Sequence, residues 1–170
     1  MPLNHLLFRN IVKGHRTEPA PASDAHAAAE LALGAPGAGL GRSLALRVVD
    51  CGSCNGCELE LHAATGPAYD LDHLGLHVVA SPRHADALVV TGPVSANMEP
   101  ALRRTAQAVP RPNRVVALGD CAGDGGCFAG TYAVKGGVGQ ILPVDLHIPG
   151  CPPTPTRILA GLRALMDRER

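Results

Sequence analysis

Three of the six cysteines of this chain fall within seven residues, in Val48-Val49-Asp50-Cys51-Gly52-Ser53-Cys54-Asn55-Gly56-Cys57-Glu58-Leu59-Glu60, directly after an apolar run. Thiolates are the natural ligands of iron–sulfur clusters and of structural zinc, and a two-residue gap lets neighbouring cysteines reach one metal centre without straining the backbone. Gly52 and Gly56 permit tight, positive-φ turns, so the loop can curl around such a group and aim its amides at the sulfurs. A lone C-x-x-C is weak evidence, since it also occurs in redox-active disulfides and zinc knuckles, so the rest of the chain has to discriminate.

The remaining cysteines, Cys121, Cys127 and Cys151, each come after a further apolar run. Leu44–Asp50 has the length and β-branched end of a strand and delivers the chain into the first cysteine loop. Residues 76–80, 87–91, 114–118 and 144–148 read as further strands. Helices are expected over about 58–64, 97–108 and 156–168, the last with Ile158, Leu159, Leu162 and Leu165 as its apolar stripe. Short apolar strands alternating with helices indicate a mainly parallel sheet covered on both faces. In open sheets of that kind ligands sit at the carboxyl ends of the strands. Gly119–Cys127 follows the 114–118 strand and Pro149–Pro153 follows the 144–148 strand, so three distant cysteine loops converge on one edge. That convergence points to one cluster assembled from separate parts of the chain rather than a local zinc knuckle.

The chain has 170 residues, 46% of them hydrophobic, which suffices for one domain with a substantial core. Fifteen basic residues balance fifteen acidic ones, and only two Phe, two Tyr and no Trp are present. Neither a basic field nor stacking platforms are available for nucleic acid. No run approaches the ~20 apolar residues of a membrane span, and no signal-peptide pattern or twin-arginine motif stands at the N-terminus. A cytoplasmic setting is therefore expected, and in a reducing compartment six cysteines fit metal binding better than three disulfides. Residues 1–16 contain a short, weakly basic amphipathic segment, suited to a membrane surface, a partner's groove or its own domain. Residues 17–42, rich in Ala, Pro and Gly, read as a linker, and residues 43–170 as the α/β domain.

Cys54-Asn55-Gly56-Cys57-x-x-Glu60, Gly119-Asp120-Cys121-Ala122-x-x-Gly125-Gly126 and Pro149-Gly150-Cys151-Pro152-Pro153 resemble the cluster-binding motifs of the small, electron-transfer subunit of [NiFe] hydrogenases. They also resemble those of the homologous cluster-bearing subunit of NADH–quinone oxidoreductase. Ala85–Ser95, Met98-x-Pro100 and Leu102-Arg103-Arg104 look like the same family, and the resemblance extends over residues 44–165. It implies a flavodoxin-like α/β domain with one [4Fe-4S] cluster, ligated by Cys54, Cys57, Cys121 and Cys151. Complex I proteins typically carry two adjacent cysteines at the first motif. The spaced Cys54-Asn55-Gly56-Cys57 form is instead similar to energy-converting, membrane-bound hydrogenases and formate hydrogenlyases. Cys51 precedes Cys54 at the same spacing and remains a competing ligand. Cys127 falls where complex I relatives usually have methionine, which favours a small buried apolar residue over a ligand. Thr154 and Thr156 replace the arginine and glutamate common after the third motif, so no quinone or partner contact is carried over to them.

The resemblance implies an oxidoreductase subunit without a complete active site of its own. Its cluster would relay electrons between a ferredoxin-like iron–sulfur subunit and the [NiFe] site of a large catalytic subunit. Integral membrane subunits would complete the complex, with this chain peripheral on the cytoplasmic face of the membrane. Two other functions stay open: a complex I-type electron-transfer subunit of the NADH–quinone oxidoreductase kind, passing electrons toward quinone, and a non-catalytic zinc-binding scaffold module. Glu60 is a candidate for proton transfer coupled to reduction or for contact with the large subunit, against a plain helix-start carboxylate. Asp50 and Asp120 read as loop-capping residues, His147 as a neighbour of Cys151 that tunes the cluster or bonds locally, and His73 and His77 as unsuited to form a metal pair.

Overall fold

The computed structural model describes residues 43–167; the expected segments 1–16 and 17–42 lie outside the described residues. In chain order the elements are β1 (Leu44–Asp50), α1 (Gly56–Thr65), β2 (Leu76–Val78), β3 (Ala87–Thr91), α2 (Glu99–Ala108), β4 (Arg114–Leu118), α3 (Asp120–Asp124), β5 (Leu146–Ile148) and α4 (Pro155–Asp167). The five strands form one sheet in the order β2-β1-β3-β4-β5, with every pairing parallel. Helices cover both faces, which makes this the flavodoxin-like α/β architecture.

Side chains alternate across the sheet with the two-residue strand period, and they build two separate cores. Leu44 and Leu46 of β1, Ala87 and Val89 of β3, and Val116 and Leu118 of β4 face one side. There they meet Leu61 and Ala64 of α1 and Ile158, Leu159, Leu162 and Leu165 of α4. Val49, Leu88, Val90, Val115 and Ala117 face the other side, against Leu102 of α2 and Ala122 of α3. A side chain such as Leu162, fully buried in the first core, contributes about 1.5–3 kcal/mol by leaving water. β3 is buried at all five positions, as a central parallel strand requires.

The helix and strand bounds differ from the sequence expectation where side chains substitute for backbone. β5 begins at Leu146 rather than Val144 because Asp145 Oδ2 accepts the Val115 N–H at 2.8 Å, while Asp145 N–H donates to Val115 O at 2.9 Å. A carboxylate there does the work of a ladder carbonyl. Asp86 pairs with Ala45 in the same way at the start of β3, through Oδ2 at 2.8 Å and its own N–H at 2.8 Å. α1 starts two residues earlier than expected, at Gly56, and so takes in Cys57. α3 occupies a stretch expected to be loop, closed by Gly123 N–H to Gly119 O and Gly125 N–H to Cys121 O.

Candidate metal centre

The first cysteine loop leaves β1 at Asp50, whose Oδ1 accepts the N–H groups of Gly52 at 2.8 Å and Ser53 at 2.7 Å. Ser53 Oγ then accepts the Asn55 N–H at 3.1 Å, and Asn55, at φ 70°, turns the chain into α1. Cys57 thus stands in the first turn of that helix. The loop is held from the side by the turn after β3. Cys51 N–H donates to Thr91 O, Ser95 N–H donates to Cys51 O, and Gly92 sits so close that a β-carbon on it would fall 2.5 Å from Ser53 Cα.

The other two loops lie beside it because β4 and β5 are neighbours. Gly119 N–H donates to Ile148 O, Asp120 N–H donates to Gly150 O at 2.9 Å, and Asp120 Oδ1 accepts the Gly150 N–H at 2.7 Å. This reciprocal pair joins the Cys121 loop to the Cys151 loop, and Asp120 is a capping residue as its position suggested. Asp50 is one too. His147 bonds locally: its Nε2 lies 3.1 Å from Gly119 O, the geometry of an N–H donated to that carbonyl. His77 pairs with Asp72 at 2.7 Å.

Four thiols share this edge of the sheet. Cys57 carries the charge influence of Cys121, Cys54 and Cys151 together. A β-carbon on Gly119, which has φ +89°, would lie 2.6 Å from the Cys57 sulfur, and one on Gly56 would lie 3.5 Å from the Cys54 sulfur. Burial, then Glu58, then the three other cysteines push the Cys57 thiol up to about 12. Cys121 is raised by burial first and then by Cys127, Cys151 and Cys54, an effect partly offset by the Cys127 backbone amide. Mutual repulsion among thiolates is relieved when a metal replaces their protons. Among the described residues, no three His, Cys, Asp or Glu side chains converge on a point that would hold a single metal ion. A donor set of four thiolates suits an iron–sulfur cluster or a tetrahedral zinc ion.

Cys51 stands apart. It continues the odd-numbered register of β1, is fully buried in the second core with Val49, Leu88 and Val94, and feels only Asp50 among charged neighbours. Cys57 packs against the first core, on the opposite face of the sheet. Spacing along the chain treats the two alike, and strand alternation separates them. Cys127 departs from expectation: it is exposed, not buried. Gly125 at φ +100° and Gly126 at φ +51° swing the chain outward into the 3-10 turn Gly126–Phe128, which leaves its side chain at the surface.

Glu60 is half-buried on α1, one turn beyond Cys57. Because the helix begins at Gly56, the first-turn carboxylate is Glu58, and both Glu58 oxygens are buried without a hydrogen-bond partner. Sequence reasoning passed over Glu58. The helix start two residues upstream is the signal that would have singled it out. The Cys54 and Cys151 ends of the site are exposed, as is Leu59, at 61%.

The family described as NADH ubiquinone oxidoreductase, 20 kDa subunit, matches residues 54–165. Formate hydrogenlyase subunit 7 of Escherichia coli (strain K12) is 47% identical over 120 residues, covering 71% of this chain and 47% of the relative. The chain therefore spans about half the length of that protein. The protein of Pyrococcus furiosus described as "Probable membrane-bound hydrogenase subunit mbhJ" is 40% identical over 129 residues, 76% of this chain and 77% of the relative. Among solved structures, the membrane-bound sulfane sulfur reductase, an archaeal respiratory membrane complex, contains a chain 30% identical with a TM-score of 0.65. The match covers 74% of this chain and 70% of that one.

Proposed function

This chain belongs to the NADH ubiquinone oxidoreductase 20 kDa subunit family, and we propose that it is the electron-transfer subunit of a membrane-bound, hydrogenase-type complex, holding one [4Fe-4S] cluster. Cys54, Cys57, Cys121 and Cys151 supply the four thiolates. The observation that supports this proposal is that the three loops bearing those cysteines leave β1, β4 and β5 at the carboxyl edge of one parallel sheet, with the Cys121 and Cys151 loops tied through Asp120 and Gly150 and Gly119 set against the Cys57 sulfur. The likeness to formate hydrogenlyase subunit 7 and to mbhJ supports the hydrogenase side of the family.

The cluster, when bound, supplies one-electron redox chemistry. The protein's own residues supply place, charge and shape. Gly119 leaves room beside the Cys57 sulfur that any side chain would fill. Asp120 keeps the Cys121 and Cys151 loops in register. The N-terminal end of α1, with its unpaired amides and positive dipole end, stabilises negative charge at Cys57. Exposure of Cys54 and Cys151 leaves the site open to the approach of a partner's redox centre. A large catalytic subunit with a [NiFe] site on one side and a ferredoxin-like subunit on the other are the proposed partners, with integral membrane subunits completing the assembly. Among the described residues no helix is long and apolar enough to cross a membrane, which suits a peripheral position in such a complex. Glu60, on the helix that carries Cys57, is retained as a candidate for proton-coupled or partner contact.

Elemental analysis of the complex, captured anaerobically through a tag on this chain, tests the assignment. Iron together with nickel is the expected result. The family match itself favours one second function, a complex I-type subunit that passes electrons toward quinone. Iron without nickel, with quinone-dependent turnover, would select it. Stoichiometric zinc in a colourless protein would select the scaffold module instead.

A further inference from the structure

Gly119 is held from both faces of the sheet. A β-carbon on it would lie 2.6 Å from the sulfur of Cys57, which packs against the first core. Its carbonyl accepts two hydrogen bonds, one from Gly123 N–H at 3.2 Å and one from the His147 ring, whose Nε2 lies 3.1 Å away. A carbonyl only accepts, so Nε2 carries the proton in this contact. His147 approaches from the second-core face, because it pairs with Ala117 across β4 and β5 and paired residues point the same way. The ring lies over Gly123, where a β-carbon would fall 2.6 Å from Nε2 and 2.7 Å from Cε1. α3 therefore admits the ring only because that position has no side chain. Gly119 itself stands at φ 89° and ψ 163°, where no side chain restrains it, so its peptide planes depend on their bonds to neighbours. Ile148 O fixes its N–H at 2.8 Å, and His147 with Gly123 fixes its carbonyl.

We propose that His147 is a positioning residue for the Cys57 corner of the cluster site, acting through the Gly119 carbonyl. The proposal rests on the cluster assignment above. With the ring bonded, the oxygen end of this peptide dipole stays on the second-core face and Gly119 keeps its bare side toward the Cys57 sulfur. Without the ring the carbonyl retains only its 3.2 Å bond from Gly123 N–H, and the peptide plane is free to turn. Turning brings a negative dipole end toward the thiolates and closes the space beside Cys57. A cluster on four thiolates is already negative and reduction adds to that charge, so the turn disfavours the reduced state.

The test compares iron and acid-labile sulfide, the electron paramagnetic resonance spectrum of the reduced cluster and its midpoint potential across full-length variants purified anaerobically in their complex. His147→Phe keeps a ring over Gly123 but has no N–H, whereas His147→Gln places an amide N–H at the reach of Nε2. His147→Phe should carry the parent's iron with a shifted spectrum, a lower midpoint potential and several-fold faster iron loss to a chelator. His147→Gln should return all three toward the parent, which a merely space-filling role would not produce. Gly123→Ala, which displaces the ring, should shift spectrum and potential in the same direction as His147→Phe. An iron-loaded parent with His147→Phe identical to it in spectrum and potential would overturn the proposal and leave the cluster assignment standing. A shift in His147→Gln as large as that in His147→Phe would overturn it too. Should His147→Phe fail to assemble, Gly123→Ala decides alone, and an unshifted spectrum and potential there overturn the proposal. A parent chain without iron would remove the cluster assignment and this proposal together.

Discussion

Asp120 and Gly150 are bonded twice: the carboxylate Oδ1 accepts the Gly150 N–H at 2.7 Å, and the Asp120 N–H donates to Gly150 O at 2.9 Å. One residue before Cys121 is thereby fixed to one residue before Cys151. The sheet brings β4 and β5 side by side, but this pair sets the separation of the two cysteines that follow them.

Removing the carboxylate should therefore separate stability from ligation. Asp120→Ala loses a hydrogen bond to a charged acceptor and leaves the Gly150 N–H unpaired, a loss of about 1.5–3 kcal/mol. Urea denaturation of the cluster-free chain should show that shift, and iron content should fall with it. Asp120→Asn keeps an oxygen acceptor and should recover most of both.

Gly119 offers a cleaner steric probe. Gly119→Ala strains a backbone at φ +89° and sets a methyl 2.6 Å from the Cys57 sulfur. Gly130→Ala also strains a positive-φ backbone, at φ +78°, with nothing within 4 Å. At Gly119, where ψ is 163°, a side chain carries about 1–3 kcal/mol of backbone strain. Both variants should lose backbone stability, but only Gly119→Ala should fail to retain iron. Equal iron in the two would show that the space at Gly119 is not needed by the site.

Cys51 gives a pH-dependent prediction. Burial, with Asp50 as the second cause, pushes its thiol from 9.0 to about 12. The folded state thus holds this proton more tightly than the unfolded state. The stability Cys51 contributes is present below about pH 9 and is lost as pH rises toward 12. At pH 8 Cys51 is held as the buried thiol, so iodoacetamide should spare it in the native chain and modify exposed Cys127 before it. Peptide mapping after alkylation reads the order. Cys51→Ala should keep its iron, whereas Cys57→Ala should not.

The larger core is tested at Leu162, fully buried between α4 and the sheet. Leu162→Ala should destabilise the domain by about 2–5 kcal/mol, with the exact loss set by how far Ile158 and Leu46 close the cavity. Because α1 packs on the same core, the loss should also loosen Cys57, and iron release on warming should begin at lower temperature.

Strand periodicity and cysteine placement made much of this molecule legible in advance. Leu44–Asp50, Ala87–Thr91 and Arg114–Leu118 stand where their apolar, β-branched runs put them, because central parallel strands are buried on both sides and tolerate little else. The edges were less legible. At Asp145 a side chain takes over a backbone acceptor, and nothing in the residue type marks that in advance. α3 was hidden because Asp120-Cys121-Ala122-Gly123-Asp124 has the composition of a loop and becomes helical only between Gly119 and Gly125, both at positive φ. The distinction between Cys51 and Cys57 depended on strand register carried one residue past β1, which chain spacing does not encode. Cys127 turned outward because of two glycines whose φ values are a tertiary outcome.

The central claim is that Cys54, Cys57, Cys121 and Cys151 together hold one [4Fe-4S] cluster. Mössbauer spectroscopy of the iron-57-enriched chain, isolated anaerobically in its complex and reduced stepwise, tests it most directly. One cubane cluster per chain is expected, lost in Cys57→Ala and retained in Cys51→Ala. A chain with no iron–sulfur signal, or a cluster that survives Cys57→Ala and disappears with Cys51→Ala, would contradict it.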